Sequence, residues 1–134
     1  MQLFLKLAEA INKNKDGNAF YINDVIFTYF DLAKAISKIR KAIQLSAKDS
    51  EKHIALVLND DLETYAAIIA LWFEGKAYVP ISPESPQDRN NKVIIQAGIE
   101  TIIDSSDKIL YPEYKVIASR NLIESEINLQ PIEV

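Results

Sequence analysis

The sequence predicts an α/β fold: a mostly parallel open sheet flanked by helices, with a small N-terminal hairpin. Three observations carry this. Residues 53–58 (HIALVL), 77–81 (AYVPI) and 101–104 (TIID) are short apolar runs with no polar alternation, as expected of strands covered on both faces. Between them lie helix-length segments that end at Gly75 and Gly98, where a left-handed C-cap belongs. Two such strands joined by a helix imply a right-handed parallel crossover.

In chain order, Leu3, Phe4, Leu7 and Ile11 fall on one face of an amphipathic helix. Residues 14–18, with Asp16-Gly17, form a turn. Residues 19–22 and 25–27 flank Asn23-Asp24, a two-residue connector suited to a hairpin at the sheet's edge. Thr28, with Asp31 three residues on, caps a helix over 29–44. Its stripe of Leu32, Ile36, Ile39 and Ile43 should face a sheet, and Lys34, Lys38, Arg40 and Lys41 read as a solvated face.

Asp60 with Glu63 reads as a capping box opening the helix at 62–74. That helix is apolar nearly all round, which places Trp72 and, on the following strand, Tyr78 inside the core. Pro80 is expected at a strand end, because proline cannot donate to a ladder. Ser85 as N-cap and Pro86 at the first helical position start the helix at 87–97. A fourth strand is expected at 114–117. Beyond Ser119 no period wins, so the tail 119–134 reads as interrupted, and 1–134 as one α/β unit.

Composition narrows the function classes. The chain has 134 residues, 49% hydrophobic and 25% charged, which is ordinary globular composition. A net charge of −4 and the lack of a basic stripe argue against a nucleic-acid surface. The absence of cysteine removes disulfides, thiolate metal sites and thiol nucleophiles. Lys6 and Glu9 interrupt the first apolar stretch, no run suits a membrane span, and the expected location is cytoplasmic.

Few residues suggest chemistry. Asp60-Asp61 lies at the carboxyl end of a parallel strand, where open α/β sheets bind ligands; it reads as a divalent-cation pair or, in preference, as helix capping. His53 is the only histidine and lacks partners for a zinc site or a nucleophilic pair. Ser105-Ser106 is a loop without the glycines of a nucleophile elbow. With only Gly17, Gly75 and Gly98, no phosphate-cradling loop can be assembled.

Two motifs do carry a resemblance. Gly75-Lys76-Ala77-Tyr78-Val79-Pro80-Ile81-Ser82-Pro83, followed by Pro86 and Arg89, resembles "Gly-x-Ala-Tyr-Val-Pro-[Ile/Leu]-Asp-Pro-x-x-Pro-x-x-Arg" of the adenylate-forming (AMP-binding) enzymes. Ser82 stands where that motif carries aspartate. Upstream, Phe27-Thr28-Tyr29-Phe30-Asp31-Leu32 resembles the family's "Leu-Thr-Tyr-x-Glu-Leu", and residues 99–104 resemble its next strand. The wording is most similar to nonribosomal peptide synthetase adenylation domains and D-alanine–carrier-protein ligases.

The resemblance implies the N-terminal part of the family's large domain. It implies a parent ligase that uses ATP and Mg2+ to activate a carboxylate, here an amino acid, as an acyl-adenylate. The acyl group then passes to the thiol of a carrier protein or coenzyme A. The family's phosphate loop, adenine- and magnesium-binding stretch, ribose-binding aspartate and C-terminal lysine match nothing in this sequence. Thr28, Tyr29, Leu32, Gly75, Ala77, Tyr78, Val79, Pro80, Pro83, Pro86 and Arg89 are therefore expected to be structural, and no catalytic, cofactor-binding or metal residue is assigned. Arg89 is expected to clamp an acidic side chain locally. The expected partners are the remaining domains of the ligase and a carrier protein. Alternatives are a naturally short, non-catalytic binding or assembly module and, last, an unrelated flavodoxin-like nucleotide binder.

Overall fold

The computed structural model describes residues 2–132, so the last two residues of the predicted tail lie outside it. Its elements are α1 (Gln2–Lys13), β1 (Asn18–Ile22), β2 (Val25–Thr28), α2 (Tyr29–Ser46), β3 (His53–Val57), α3 (Leu62–Phe73), β4 (Ala77–Ile81), α4 (Gln87–Gln96), β5 (Thr101–Asp104) and β6 (Lys115–Ala118). Every predicted element is present, with ends shifted by at most two residues.

Four strands form one sheet in the order β4-β3-β5-β6, all parallel. The pleat divides their side chains between two cores. Ile54, Leu56, Ile103 and Ile117 point toward α1, α2 and α3, while Ala55, Val57, Ile81 and Ile102 meet Ile94 of α4. Coverage on both faces is why the strands read as continuous apolar runs. Pro80 occupies the outer strand β4, one residue before its end, where its missing N–H leaves no gap in an inner ladder.

The hairpin is not at the edge of this sheet. β1 and β2 form a separate two-stranded antiparallel sheet. It rests on the helices: Phe20 stacks on Tyr65 of α3 with ring centroids 5.1 Å apart. Asn23 and Asp24 take φ of 49° and 65°, the left-handed pair of a type I′ turn, which these two side chains tolerate.

α2 also differs from its expected setting. It packs chiefly on α3, and the small residues Ala33, Ala66, Ala67 and Ala70, all fully buried, let the two helices approach closely. The predicted Leu32, Ile36, Ile39 and Ile43 stripe is buried, but so is Arg40, which the charge pattern assigns to the solvated face. An arginine fits there because Glu74 Oε2 accepts from its Nε at 2.7 Å.

In α1, Ile11 is buried and Phe4 packs on Trp72, whereas Leu3 points to solvent. Trp72 is 37% exposed, so this ring lies at the rim of the core rather than inside it. Hydrophobicity alone does not tell a buried ring from one that caps a core edge.

The helix ends follow their capping chemistry. Thr28 and Asp31 form the reciprocal capping box of α2. Gly75 and Gly98, at φ of 70° and 66°, terminate α3 and α4. In each case the glycine N–H and the following N–H reach back to the last-turn carbonyls, as in the Schellman motif. Two predicted caps move by a residue. Asp61, not Asp60, caps α3, accepting from Thr64 N at 2.9 Å. Pro86, not Ser85, stands at the N-cap of α4, and no side chain bonds there. The turn before it is held by Asn90 Nδ2 donating to Ser82 O at 2.9 Å.

Candidate functional site

From β3 the chain crosses to β4 on one side, then returns to β5 on the other. The connections therefore part company at the carboxyl ends of β3 and β5, and in open α/β sheets that crevice is where ligands bind. A compact polar network fills it. Asp61 Oδ1 accepts from Thr64 N and from Thr64 Oγ1, at 2.9 and 2.6 Å. Its other oxygen accepts from Ser105 Oγ. Asn59 Nδ2 donates to Asp104 Oδ1 at 3.0 Å and to Ser105 Oγ at 2.9 Å, and Ser106 N donates to the same Asp104 oxygen at 2.9 Å. Arg120 stands above, its Nη2 4.0 Å from Asp61 Oδ2.

Both oxygens of Asp61 are thus occupied by protein donors. Asp60 turns away and accepts from Tyr65 OH at 2.8 Å, a bond that raises the Tyr65 phenol above its ordinary range. Of the two readings of this pair, capping accounts for Asp61. A cation would have to displace those donors, and among the described residues no group of three or more His, Cys, Asp or Glu is placed to hold a metal ion.

An ATP phosphate fares no better. The crevice presents the carboxylates of Asp61 and Asp104 where a phosphate would need free N–H donors and cations, its Arg120 guanidinium is paired with Asp61, and two of the three glycines are spent ending helices. The residues here do not fit ATP or its magnesium on their own.

The sequence-predicted residues lie apart from this crevice, except for the Asp60-Asp61 pair and the Ser105-Ser106 loop. Thr28, Tyr29 and Leu32 organise the start of α2, where Tyr29 N donates to Gly17 O at 2.9 Å. Gly75 ends α3; Ala77, Tyr78, Val79 and Pro80 belong to β4; Pro83 and Pro86 frame the turn before α4. Arg89 is exposed, and among the described residues it makes no ion pair, so it clamps no acid. His53 starts β3 at the opposite end of the sheet and is exposed. Sequence reasoning missed Arg120 as a partner of Asp61, and Asn59 and Asp104 as members of the network joined to it through Ser105. A readable signal existed: Asp104-Ser105-Ser106 ends a buried strand at the level where Asn59 ends its neighbour.

Beyond the crevice, a cleft of about 450 Å3 opens beside β6, lined by Asp104, Ser106, Tyr111, Tyr114 and Val116 among others. Ile109 and Leu110 line it too and are exposed.

The family model described as AMP-binding enzyme matches residues 7–129. The chain belongs to that family.

The chain is 26% identical over 126 residues to N-(5-amino-5-carboxypentanoyl)-L-cysteinyl-D-valine synthase of Penicillium rubens, covering 94% of the chain and 3% of the relative. It is 25% identical over 118 residues to bacitracin synthase 2 of Bacillus licheniformis, covering 88% of the chain and 4% of the relative. The chain therefore spans only a small part of the curated relatives it matches.

In fold it is similar to a nonribosomal peptide synthetase solved in its α-methyl-L-serine-AMP bound form, with a TM-score of 0.81 and 20% identity over 99% of this chain and 15% of that one. Klebsiella oxytoca NpsA in complex with 3-hydroxyanthranilyl-AMSN gives 0.77 at 19% identity, over 98% of this chain and 28% of that one. Together with the family match, these fold likenesses support an N-terminal segment of the adenylate-forming superfamily. Among the described residues no helix is long and apolar enough to cross a membrane.

Proposed function

We propose that this chain is the N-terminal scaffold of an ATP-dependent, AMP-forming ligase. That ligase activates an amino acid as its acyl-adenylate and passes it to the thiol of a carrier protein or coenzyme A. The observation that carries the reading is the family match over residues 7–129, on which the Gly75–Arg89 motif lies. The cysteinyl-valine synthase among its relatives and the peptide synthetase among its fold neighbours support an amino acid as the acid. Among the described residues no group of three or more His, Cys, Asp or Glu is placed to hold a metal ion, and on this reading ATP and Mg2+ are assigned to the parent enzyme. The motif residues Thr28, Tyr29, Leu32, Gly75, Ala77 to Pro80, Pro83, Pro86 and Arg89 then act as framework.

The test is ATP–pyrophosphate exchange, run on the parent ligase and on the 134-residue chain with a panel of amino acids. The parent is expected to exchange with an amino acid, and the chain alone with none. Exchange by the chain alone would overturn the scaffold role. Exchange by the parent with fatty or aryl acids only would overturn the amino-acid assignment.

A further inference from the structure

Residues 119–132 form neither helix nor strand, yet they are tied down along their length. The segment leaves the carboxyl end of β6, where Ser119 N donates to Asp104 O at 3.2 Å. It then returns along the helices toward the far end of the sheet, where Ile132 N donates to Phe73 O, the last residue of α3, at 2.9 Å. Midway, two side chains one helical turn apart on α2 grip a single residue. Ser37 Oγ accepts from Asn128 N at 2.9 Å, and Arg40 Nη1 donates to Asn128 O at 2.9 Å.

That pair of bonds does for Asn128 what a neighbouring strand would do, satisfying both its N–H and its C=O. The gripping groups are themselves fixed. Ser37 Oγ donates to Ala33 O at 2.8 Å. Arg40 is held by Glu74, which also accepts from Gln44 Nε2 at 3.1 Å, and its guanidinium lies 5.6 Å from the Phe73 ring centroid. The Asn128 side chain makes no bond to α2; its Oδ1 accepts instead from Gln130 N at 3.1 Å, and the next residue, Leu129, is 4% exposed and joins the main core.

We propose that the α2–α3 groove is a docking surface for an extended peptide segment, occupied here by residues 119–132 of the same chain. Ser37 and Arg40 recognise the backbone of the residue at position 128 irrespective of its side chain. Leu129 sets the register by plugging the core one residue later. The arginine on α2, read as solvated from sequence, is the group around which the segment is positioned. This inference stands independently of the ligase reading.

Amide hydrogen exchange on the full chain tests it, with Ile132 as reporter and Ile103 in the sheet as reference. Ser37→Ala and Asn128→Pro remove the same bond from opposite sides. Each is expected to speed exchange at Ile132 by about two- to tenfold, the worth of one net hydrogen bond, without changing Ile103. The double variant should do no more than either single one. Asn128→Asp, which keeps the backbone groups and an oxygen to accept from Gln130 N, should leave Ile132 unchanged. The proposal is overturned if Asn128→Asp speeds Ile132 as much as Asn128→Pro, if the two single effects multiply, or if neither single variant moves Ile132.

Discussion

At the scale of the residue, two buried charged groups have opposite settings. Arg40 and Glu74 are paired, Glu74 also accepts from Gln44, and the Arg40 guanidinium lies over the Phe73 ring. Removing one partner strands the other, so Arg40→Ala should cost about 3–5 kcal/mol, while Arg40→Met with Glu74→Leu should recover most of that loss. Urea unfolding of the two variants checks this; a double variant no better than the single would refute it. Glu51 is buried too, but neither of its carboxylate oxygens has a hydrogen-bond partner among the described residues. The Lys76 ammonium donates to the Glu51 backbone carbonyl instead. Glu51→Met removes an unsatisfied buried carboxylate and should stabilise the chain by about 1–3 kcal/mol at pH 7. A lower urea midpoint for that variant would show that the carboxylate finds compensation. Tyr65 adds a pH effect. Its phenol, raised first by the bond to Asp60 and then by burial, contributes stability that is complete below its unfolded value of 10.0. That contribution is lost as pH rises through the higher folded value. Tyr65→Phe should therefore flatten the alkaline fall of the stability profile, and an unchanged slope would rule the linkage out.

At the scale of the element, caps decide where helices begin, and one residue of error matters. Asp61→Ala should cost about 1–2 kcal/mol because Asp61 caps α3 and also accepts from Ser105, whereas Asp60→Ala should stay within about 0.5 kcal/mol. Equal losses in thermal unfolding would restore Asp60 as the cap. The elements themselves are legible because local chemistry specifies them: strands by unbroken apolar runs, α2 by Thr28 and Asp31, and the ends of α3 and α4 by Gly75 and Gly98. What local chemistry does not encode is which element packs on which. The hairpin's place on the helices depends on Phe20 meeting Tyr65, and the burial of Arg40 depends on Glu74, 34 residues away. The crevice is half legible for the same reason. Asp61 stands out beside its strand end, but Asn59, Asp104 and Ser105 become a network only once β5 lies beside β3.

At the scale of the whole molecule, the sheet is well covered on both faces, yet its β6 flank is not. Ile109 is 86% exposed at the lip of the cleft beside β6, together with Leu110 and Val116. Apolar side chains grouped at such a lip contribute little to the stability of the chain that carries them, because folding leaves them in water. They lower the free energy only when a second surface covers them, and in its absence they promote self-association. Ile109→Lys should therefore change the unfolding free energy by less than about 0.5 kcal/mol. The same change should reduce concentration-dependent association in sedimentation velocity, since it places a charge on the contact surface. A strongly destabilised variant would mean that Ile109 is covered within the folded chain. Unaltered association would mean that copies meet elsewhere, and the exposed faces of α1 and the hairpin, with Leu3, Tyr21 and Ile26, would become the surfaces to substitute next.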